Sequence, residues 1–280
     1  MTIVKNNIIK GLHQKPILAD VFYQKNNQKK PIVIFAHGFK GYKDWGAWNL
    51  VAEKFAENGF VFVKFNFSHN GGTVTQPIDF PDLEAFGNNN FIKEIDDLQS
   101  VINWIAQNDS LTDEIDPENL TLIGHSRGGG IVLLKAAEEK LVKKVITWAA
   151  VADFGARFPK GRELENWRKK GVAYIHNSRT NQQMPLYFQF YQNFFKNKLR
   201  LNICSAVKRL KIPQLIIHGK SDETVNPIEA KNLHKWNPKS KLCFIEGNHT
   251  FGSKHPWLGT ELPRGLEESV KKSIEFTVQN

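Results

Sequence analysis

The chain has 280 residues, a length that fits one large domain or a domain that carries an insertion. Hydrophobic residues make up 41% and charged residues 24%, an ordinary globular composition that excludes an intrinsically disordered chain. The formal net charge is +10, but the lysines and arginines are scattered and accompany no recognised nucleic-acid motif. We therefore interpret the basic residues as a solvated surface and expect no nucleic-acid partner.

Sequence signals for export, membrane insertion and metal binding are weak. Residues 1–10 lack a continuous apolar stretch and a small-residue cleavage site, which argues against a signal peptide. No apolar run reaches the length of a transmembrane helix. Cys204 and Cys243 lie in neither a CxxC nor a metal-ligand spacing. We expect a cytoplasmic protein with free thiols, no metal, no cofactor and no membrane insertion, present as a monomer or a homodimer.

The first half of the chain alternates short β-rich segments with longer helical ones. A buried strand is predicted over 32–36, where it ends at a His-Gly pair. Helical spacing covers 48–58 and stops at Gly59, a typical helix C-terminal signal. The aromatic segment 60–67 alternates as a strand does, and 90–107 places its apolar residues on one helical stripe.

The second half continues this rhythm. Its predicted elements are, in chain order, strand 120–123, helix 127–140, strand 144–151, strand 214–218, helix 227–236, strand 241–245 and helix 263–278. Alternation of strands and helices predicts a mostly parallel sheet with helices on both faces.

Residues 153–208 break the alternation. This segment is rich in aromatic residues and contains no convincing strand. We interpret it as a helical cap inserted over the carboxyl edge of the sheet, so that 1–152 and 209–280 form the core domain. The alternative is a pair of ordinary crossover helices with long loops.

A nucleophile motif follows the strand at 120–123. Gly124, Ser126 and Gly128 match G-x-S-x-G, preceded by an apolar strand and followed by a helical segment. The serine of this motif stands on a sharp turn, where side chains two residues away on either side would collide; glycine removes the clash. The pattern predicts Ser126 as the nucleophile of a hydrolase.

A serine hydroxyl needs a base that is oriented by an acid. In hydrolases with this motif, the acid and the base follow the serine in the chain. Asp222 lies in the loop after strand 214–218, with Glu223 as its neighbour, and His249 lies in the loop after strand 241–245. We predict Asp222 as the acid and His249 as the base; His255 is a rival that no strand positions. The other histidines that we considered are set aside by chain order or position: His13, His37, His69, His125, His218 and His234.

Two backbone amides are predicted to stabilise the oxyanion. One is that of Arg127, the residue after the nucleophile, and the other is that of Phe39, in the loop after the first predicted strand. The Arg127 side chain has two interpretations: it pairs with a substrate carboxylate, or it covers the helix surface.

Four segments of the sequence resemble the α/β-hydrolase superfamily, and within it bacterial carboxylesterases related to dienelactone hydrolase-like and feruloyl esterase-like proteins. The similarity covers roughly residues 17 to 278, and its motifs are residues 37–39, 124–129, 218–225 and 247–249. It implies an eight-stranded, mostly parallel sheet and ester hydrolysis without a metal. Dienelactone hydrolases proper carry cysteine where this chain has Ser126, and haloalkane dehalogenases and epoxide hydrolases carry aspartate, so the serine argues against those reactions.

The sequence therefore predicts a serine carboxylester hydrolase that forms an acyl-enzyme with a small-molecule ester. The aromatic residues of 153–208 suggest an apolar or aromatic acyl group if they line a pocket, but aromatic residues at helical spacing more often form a core. Three alternatives stay open: a serine peptidase of the prolyl-oligopeptidase type, a thioesterase or acyltransferase, and a non-catalytic binding protein on the same fold.

Overall fold

A central sheet of eight strands organises residues 1–279, which are the residues that the computed structural model describes. Its strands are β1 (Thr2–Ile9), β2 (Ile17–Tyr23), β3 (Lys30–Ala36), β4 (Val61–Asn66), β5 (Ile115–His125), β6 (Val142–Trp148), β9 (Gln214–Gly219) and β10 (Lys241–Ile245), and the intervening β7 and β8 belong to a separate hairpin. Their order across the sheet is β1-β2-β4-β3-β5-β6-β9-β10. Strand β2 runs antiparallel to β1 and β4, and the other neighbours pair in parallel. The predicted mostly parallel sheet of about eight strands is confirmed.

Helices cover both faces of this sheet. They are α1 (Trp48–Glu57), α2 (Leu83–Gly87), α3 (Phe91–Ala106), α4 (Arg127–Ala136), α5 (Gly161–Lys170), α6 (Gln189–Lys196), α7 (Ile203–Arg209), α8 (Ile228–Trp236) and α9 (Arg264–Val278). The apolar stripe of α3 is buried, as its spacing predicts, and packs with α4, α7 and α8 in one hydrophobic cluster. Helices α1 and α9 contribute to a second cluster on the opposite face. Strands β2 and β4 are fully buried because helices cover both of their faces.

Residues 153–208 differ from the prediction in one respect. They contain the helices α5 to α7, but also a two-stranded antiparallel hairpin formed by β7 (Val172–Asn177) and β8 (Gln182–Tyr187). The expectation of a helical segment without strands is therefore wrong. Trp167 of α5 anchors the hairpin, because its indole Nε1 donates a hydrogen bond of 2.8 Å to the carbonyl oxygen of Leu186.

The predicted boundaries of three elements also shift. Strand β5 begins at Ile115, five residues before the predicted start, and helix α4 ends at Ala136 rather than at residue 140. Strand β6 ends at Trp148, so residues 149–151 lie in the loop that follows it. Within residues 1–279, no helix has the length and apolar character that a membrane crossing needs.

Candidate active site

The carboxyl ends of four parallel strands bring the predicted site residues to one edge of the sheet. Ser126 directly follows β5, and Phe39 lies in the loop after β3. Asp222 lies three residues beyond the end of β9, and His249 four residues beyond the end of β10. The structure thus gathers residues from distant parts of the chain, as the strand order predicts.

Ser126 occupies a strained turn that glycine neighbours make possible. Its φ is 57°, in the left-handed region, and its ψ is −119°. A Cβ atom added to Gly124 would lie 2.3 Å from the carbonyl oxygen of Gly128, and one added to Gly128 would lie 2.3 Å from that of Ala36. Both distances are shorter than atoms can approach, so the turn requires glycine at these two positions of the motif.

Asp222 and His249 are joined by a hydrogen bond. The distance from His249 Nδ1 to Asp222 Oδ2 is 2.8 Å. Because a carboxylate accepts, the proton of the neutral imidazole lies on Nδ1, and Nε2 is left with a lone pair that can accept a proton. The His249 side chain is 16% exposed, whereas that of Asp222 is fully buried.

Three further donors hold the Asp222 carboxylate. Its Oδ1 accepts hydrogen bonds from the backbone amides of Thr224 at 2.9 Å and Val225 at 2.8 Å. His218 Nε2 lies 3.2 Å from Oδ2 and 2.8 Å from the carbonyl oxygen of Val225; since both are acceptors, this nitrogen carries a proton. Burial alone would raise the pKa of Asp222, but the hydrogen bonds from His218, His249 and Val225 outweigh it and hold the pKa well below its ordinary value.

His218 is a part of the site that the sequence interpretation set aside. Chain order argues against His218 as the base, because it precedes the acid. In the structure it instead contacts the Asp222 carboxylate. Its position four residues before Asp222, at the end of a buried strand, is the signal that points to such a contact.

His125 supports His249 from the other side. Its Nε2 donates a hydrogen bond of 2.9 Å to the carbonyl oxygen of His249, and the centres of the two rings lie 4.8 Å apart. Burial lowers the pKa of His125 to about 3, and the positive charge that His249 carries when protonated acts in the same direction. His125 is therefore a neutral hydrogen-bond donor that fixes the loop bearing His249.

Ser126 and His249 line the same two cavities, but within residues 1–279 no hydrogen bond joins the Ser126 hydroxyl to the His249 imidazole. Such bonds are often long in hydrolases before a substrate binds. His255, the rival base, lines one of these cavities, and its Nδ1 accepts a hydrogen bond of 2.9 Å from the amide of Gly46. That bond ties His255 to the segment before α1 and away from Asp222.

The amides of Phe39 and Arg127 lie on the two segments that flank Ser126. Neither amide donates to a protein acceptor within the part of the chain that the structure describes. Arg127 is the first residue of α4, where backbone N–H groups are unpaired and the helix dipole favours negative charge. The loop bearing Phe39 packs closely on the serine, because a Cβ added to Gly38 would lie 2.9 Å from Ser126 Cβ.

The Arg127 side chain is mostly buried, with 14% of its surface exposed, and is not spread over the helix surface. Its guanidinium donates to Glu94 Oε1 at 3.3 Å and lies 4.0 Å from the centre of the Phe39 ring. The rings of Phe91 and Phe190 each lie 5.2 Å from it. Burial raises the pKa of Glu94, and the nearby Arg127 charge opposes this shift. Arg127 therefore links the loop of Phe39 to α3 and to α6.

Two cavities meet at Ser126 and His249. The first, which we call the cap cavity, has a volume of about 390 Å³. Its wall is mainly apolar and comes largely from residues 153–208, with Phe154, Phe158, Trp167, Ile175, Leu186 and Phe190. The second, which we call the loop cavity, has a volume of about 290 Å³ and lies between the segment 37–48 and the hairpin turn. Its polar lining residues include Lys40, Asn177, Arg179, Thr250 and His255.

The strand order and the site at the strand ends define this protein as an α/β hydrolase. The chain belongs to the BD-FAE family of esterase domains, whose sequence profile matches residues 19–237. It is similar in fold to the esterase Est1E from Butyrivibrio proteoclasticus, with a TM-score of 0.69 and 18% identity over 98% of this chain and 99% of that one. A second structure of Est1E holds ferulic acid.

Two further proteins show the range of the similarity. The α/β hydrolase GrgF from Penicillium sp. sh18 has a TM-score of 0.74 and 15% identity, and the alignment covers 99% of this chain and 98% of that one. An uncharacterised 31.7 kDa protein of Escherichia coli is 30% identical over 46% of this chain and 40% of its own length. The chain thus matches less than half the length of that curated relative.

Proposed function

We propose that the protein is a serine carboxylester hydrolase that works through an acyl-enzyme. Ser126 is the nucleophile, His249 the general base and Asp222 the residue that orients and charges the base. The observation that carries this assignment is the 2.8 Å hydrogen bond between His249 Nδ1 and Asp222, because it leaves His249 Nε2 free to accept a proton at the cavities that Ser126 lines.

The reaction consists of two proton-coupled steps. His249 Nε2 takes the hydroxyl proton of Ser126, and the serine oxygen forms a bond to the ester carbonyl carbon. The bond from that carbon to the alcohol oxygen then breaks, and the alcohol leaves with the proton from His249. Water repeats the sequence on the acyl-enzyme, which releases the acid and restores Ser126.

Stabilisation of the oxyanion is assigned to the backbone amides of Phe39 and Arg127. Both lack a protein acceptor within residues 1–279, and both lie on segments in contact with Ser126. Each such donor contributes about 3 kcal/mol to transition-state stabilisation in hydrolases of this kind.

We assign the acyl group to the cap cavity. Its wall is rich in aromatic side chains, and a volume of about 390 Å³ fits a small to medium apolar or aromatic acid. The ferulic acid bound to Est1E supports an aromatic acyl group by analogy of fold. We further propose that the enzyme acts in the cytoplasm on a small-molecule ester, as a monomer or a homodimer, without a cofactor or metal.

A fluorophosphonate probe tests the nucleophile directly. The wild-type protein should be labelled, and Ser126→Ala should abolish both labelling and ester turnover. Ser205→Ala is the matched control, because Ser205 lies on α7 and contributes to neither cavity. Failure of the wild-type protein to react would overturn the assignment and favour a non-catalytic binding protein.

A panel of p-nitrophenyl and hydroxycinnamoyl esters of graded acyl length tests the substrate class. Turnover should rise with apolar or aromatic acyl groups up to the size of the cap cavity and fall beyond it. Preferential turnover of peptide amides would instead indicate a peptidase, and preferential turnover of acyl-CoA a thioesterase.

A further inference from the structure

Lys40 lies where the two cavities meet. It lines both of them, one residue after the proposed oxyanion donor Phe39. Within residues 1–279, its ammonium group makes no hydrogen bond and no ion pair, although the chain pairs many of its other cations. An unpaired cation beside a proposed oxyanion site is available to a substrate.

The backbone at Lys40 is in the left-handed conformation. Its φ is 54°, a region that glycine adopts freely and that residues with a side chain enter at a cost. The same loop has glycine at Gly38 and Gly41. Because this backbone conformation favours glycine, the presence of a lysine suggests that its side chain has a function in the site.

The wall of the loop cavity is positively charged. Within the described residues its lining includes Lys40 and Arg179 but no aspartate or glutamate. The charge of Arg179 is neutralised by an ion pair of 2.5 Å with Asp79 Oδ1. The same oxygen also accepts a hydrogen bond from Tyr42. Asp44, nearby in the chain, accepts from Lys43 and Lys64. Lys40 is therefore the uncompensated charge of this cavity.

Three of the four histidines that line the loop cavity do not add to this charge. Burial lowers the pKa of His37 to about 4 and that of His125 to about 3, and it also lowers the pKa of His255. Asn177 and Thr250 supply polar groups to the same wall. The loop cavity thus presents one free cation with neutral hydrogen-bonding groups around it.

The cap cavity offers an anion fewer free cationic partners than the loop cavity does. Its two arginines are already paired, Arg127 with Glu94 and Arg157 with Glu229, and its remaining wall is largely aromatic. A charged group placed there would lose its hydration without a free partner other than Lys40. An anionic part of the substrate is therefore better placed in the loop cavity.

We propose that the loop cavity binds an anionic group, a carboxylate, on the alcohol part of the ester, with Lys40 as its counter-ion. This inference rests on the proposed function and extends it: the cap cavity takes an apolar acyl group, and the loop cavity takes an acidic alcohol. Lys40 is then a specificity-determining residue for the leaving group.

Two matched esters test the inference. Both esters carry the acyl group that turns over best in the p-nitrophenyl panel. Their alcohol parts are 3-hydroxybenzoate and 3-hydroxybenzamide, which differ only in that one bears a carboxylate and the other a neutral amide of similar shape. The wild-type protein should prefer the carboxylate by about tenfold in kcat/KM, the effect of one charge-assisted hydrogen bond. The preference should fall as sodium chloride is added, because the cavity is open to solvent.

Three variants assign the preference to Lys40. Lys40→Gly suits the left-handed backbone and removes the charge, so the ratio of the two kcat/KM values should fall to near one. Lys40→Arg keeps the charge and should keep a ratio above one. Lys54→Met removes a positive charge from the exposed surface of α1 and should leave the ratio unchanged.

The outcomes separate the two proposals. A wild-type ratio of one or below, or a ratio unaffected by Lys40→Gly, overturns the inference while the enzyme remains an esterase. Failure to hydrolyse either benzoate-type ester while p-nitrophenyl esters are turned over also overturns it. Absence of ester turnover and of fluorophosphonate labelling overturns the proposed function itself.

Discussion

Asp222 receives more hydrogen bonds than the orientation of one imidazole requires. His218 and His249 contact Oδ2, and the amides of Thr224 and Val225 donate to Oδ1. Four donors around one buried carboxylate fix its position and favour its ionised form. The site therefore places a negative charge behind His249, which in the proposed reaction would stabilise a His249 imidazolium.

Asp222→Asn should lower kcat by three to four orders of magnitude. The amide oxygen can still accept from Thr224 and Val225, so the fold should persist, but the amide nitrogen would face His249 Nδ1 and favour the wrong tautomer. Steady-state kinetics with a p-nitrophenyl ester measure the loss, and far-UV circular dichroism checks the fold. Glu223→Gln, a change at the exposed neighbour, should retain activity; a loss in that variant alone would move the acid to Glu223.

At the residue scale, the sequence predicts the place of a side chain where strand order decides it. Ser126, Asp222 and His249 each follow a predicted strand, and parallel strands bring their following loops to one edge. The role of His218 and the environment of the Arg127 side chain were not predictable in this way. Both depend on contacts across a packed interior, such as that between Arg127 and Glu94 of α3, which no local pattern encodes.

Helix α3 carries two carboxyl groups on its buried face. Glu94 pairs with Arg127, and Asp97 Oδ2 accepts a hydrogen bond of 2.8 Å from the amide of Ser68. Asp97 Oδ1 has no partner among the described residues, and burial raises the pKa of Asp97 to about 7. The helical spacing predicts the apolar stripe of α3 but not that these acids share its buried side.

The raised pKa of Asp97 makes stability depend on pH. Between its ordinary value near 4 and about 7, the unfolded chain is ionised while the folded chain holds the proton, so stability falls as pH rises, by up to about 1.4 kcal/mol per pH unit. Asp97→Asn removes this dependence and keeps an acceptor for Ser68. Urea unfolding at pH 5 and pH 8 should show the variant gaining stability relative to the wild type at the higher pH. An equal difference at both pH values would contradict the prediction.

The hairpin is the element that the sequence pattern does not predict. Strand β8 begins with two glutamines and contains Pro185, and β7 is only partly buried, so neither shows a regular apolar alternation. Tertiary contacts stabilise the hairpin. Trp167 donates a hydrogen bond to the carbonyl oxygen of Leu186, and Gln182 Nε2 donates a hydrogen bond of 3.0 Å to the carbonyl oxygen of Phe80. By contrast, β10 was predicted with its observed bounds because its apolar run is short and bounded by polar residues.

On the scale of the whole molecule, a buried ionic cluster ties the site to the sheet. Lys64 of β4 lies 2.7 Å from Asp20 of β2 and 2.5 Å from Asp44, and Lys43 contacts both aspartates at 2.8 and 2.6 Å. Lys43 and Asp44 follow the loop that bears Phe39 and Lys40. The cluster therefore fixes this loop against two sheet strands. No local sequence pattern predicts this cluster, because the partners of Lys64 lie at least 20 residues away in the chain.

Lys64→Met should destabilise the whole molecule. Without Lys64, the buried Asp20 and the neighbouring Asp44 each keep only Lys43 as a counter-ion. The loss of one partner from a buried ionic group lowers the free energy of unfolding by about 3 kcal/mol or more. Lys54→Met is the matched control, because Lys54 and Glu57 form an exposed pair on α1 that contributes less than about 1 kcal/mol. Urea unfolding of the two variants measures both effects. Similar small losses in both would mean that the methionine packs well enough to replace the ion pairs, and that the cluster does not hold the loop through its charges.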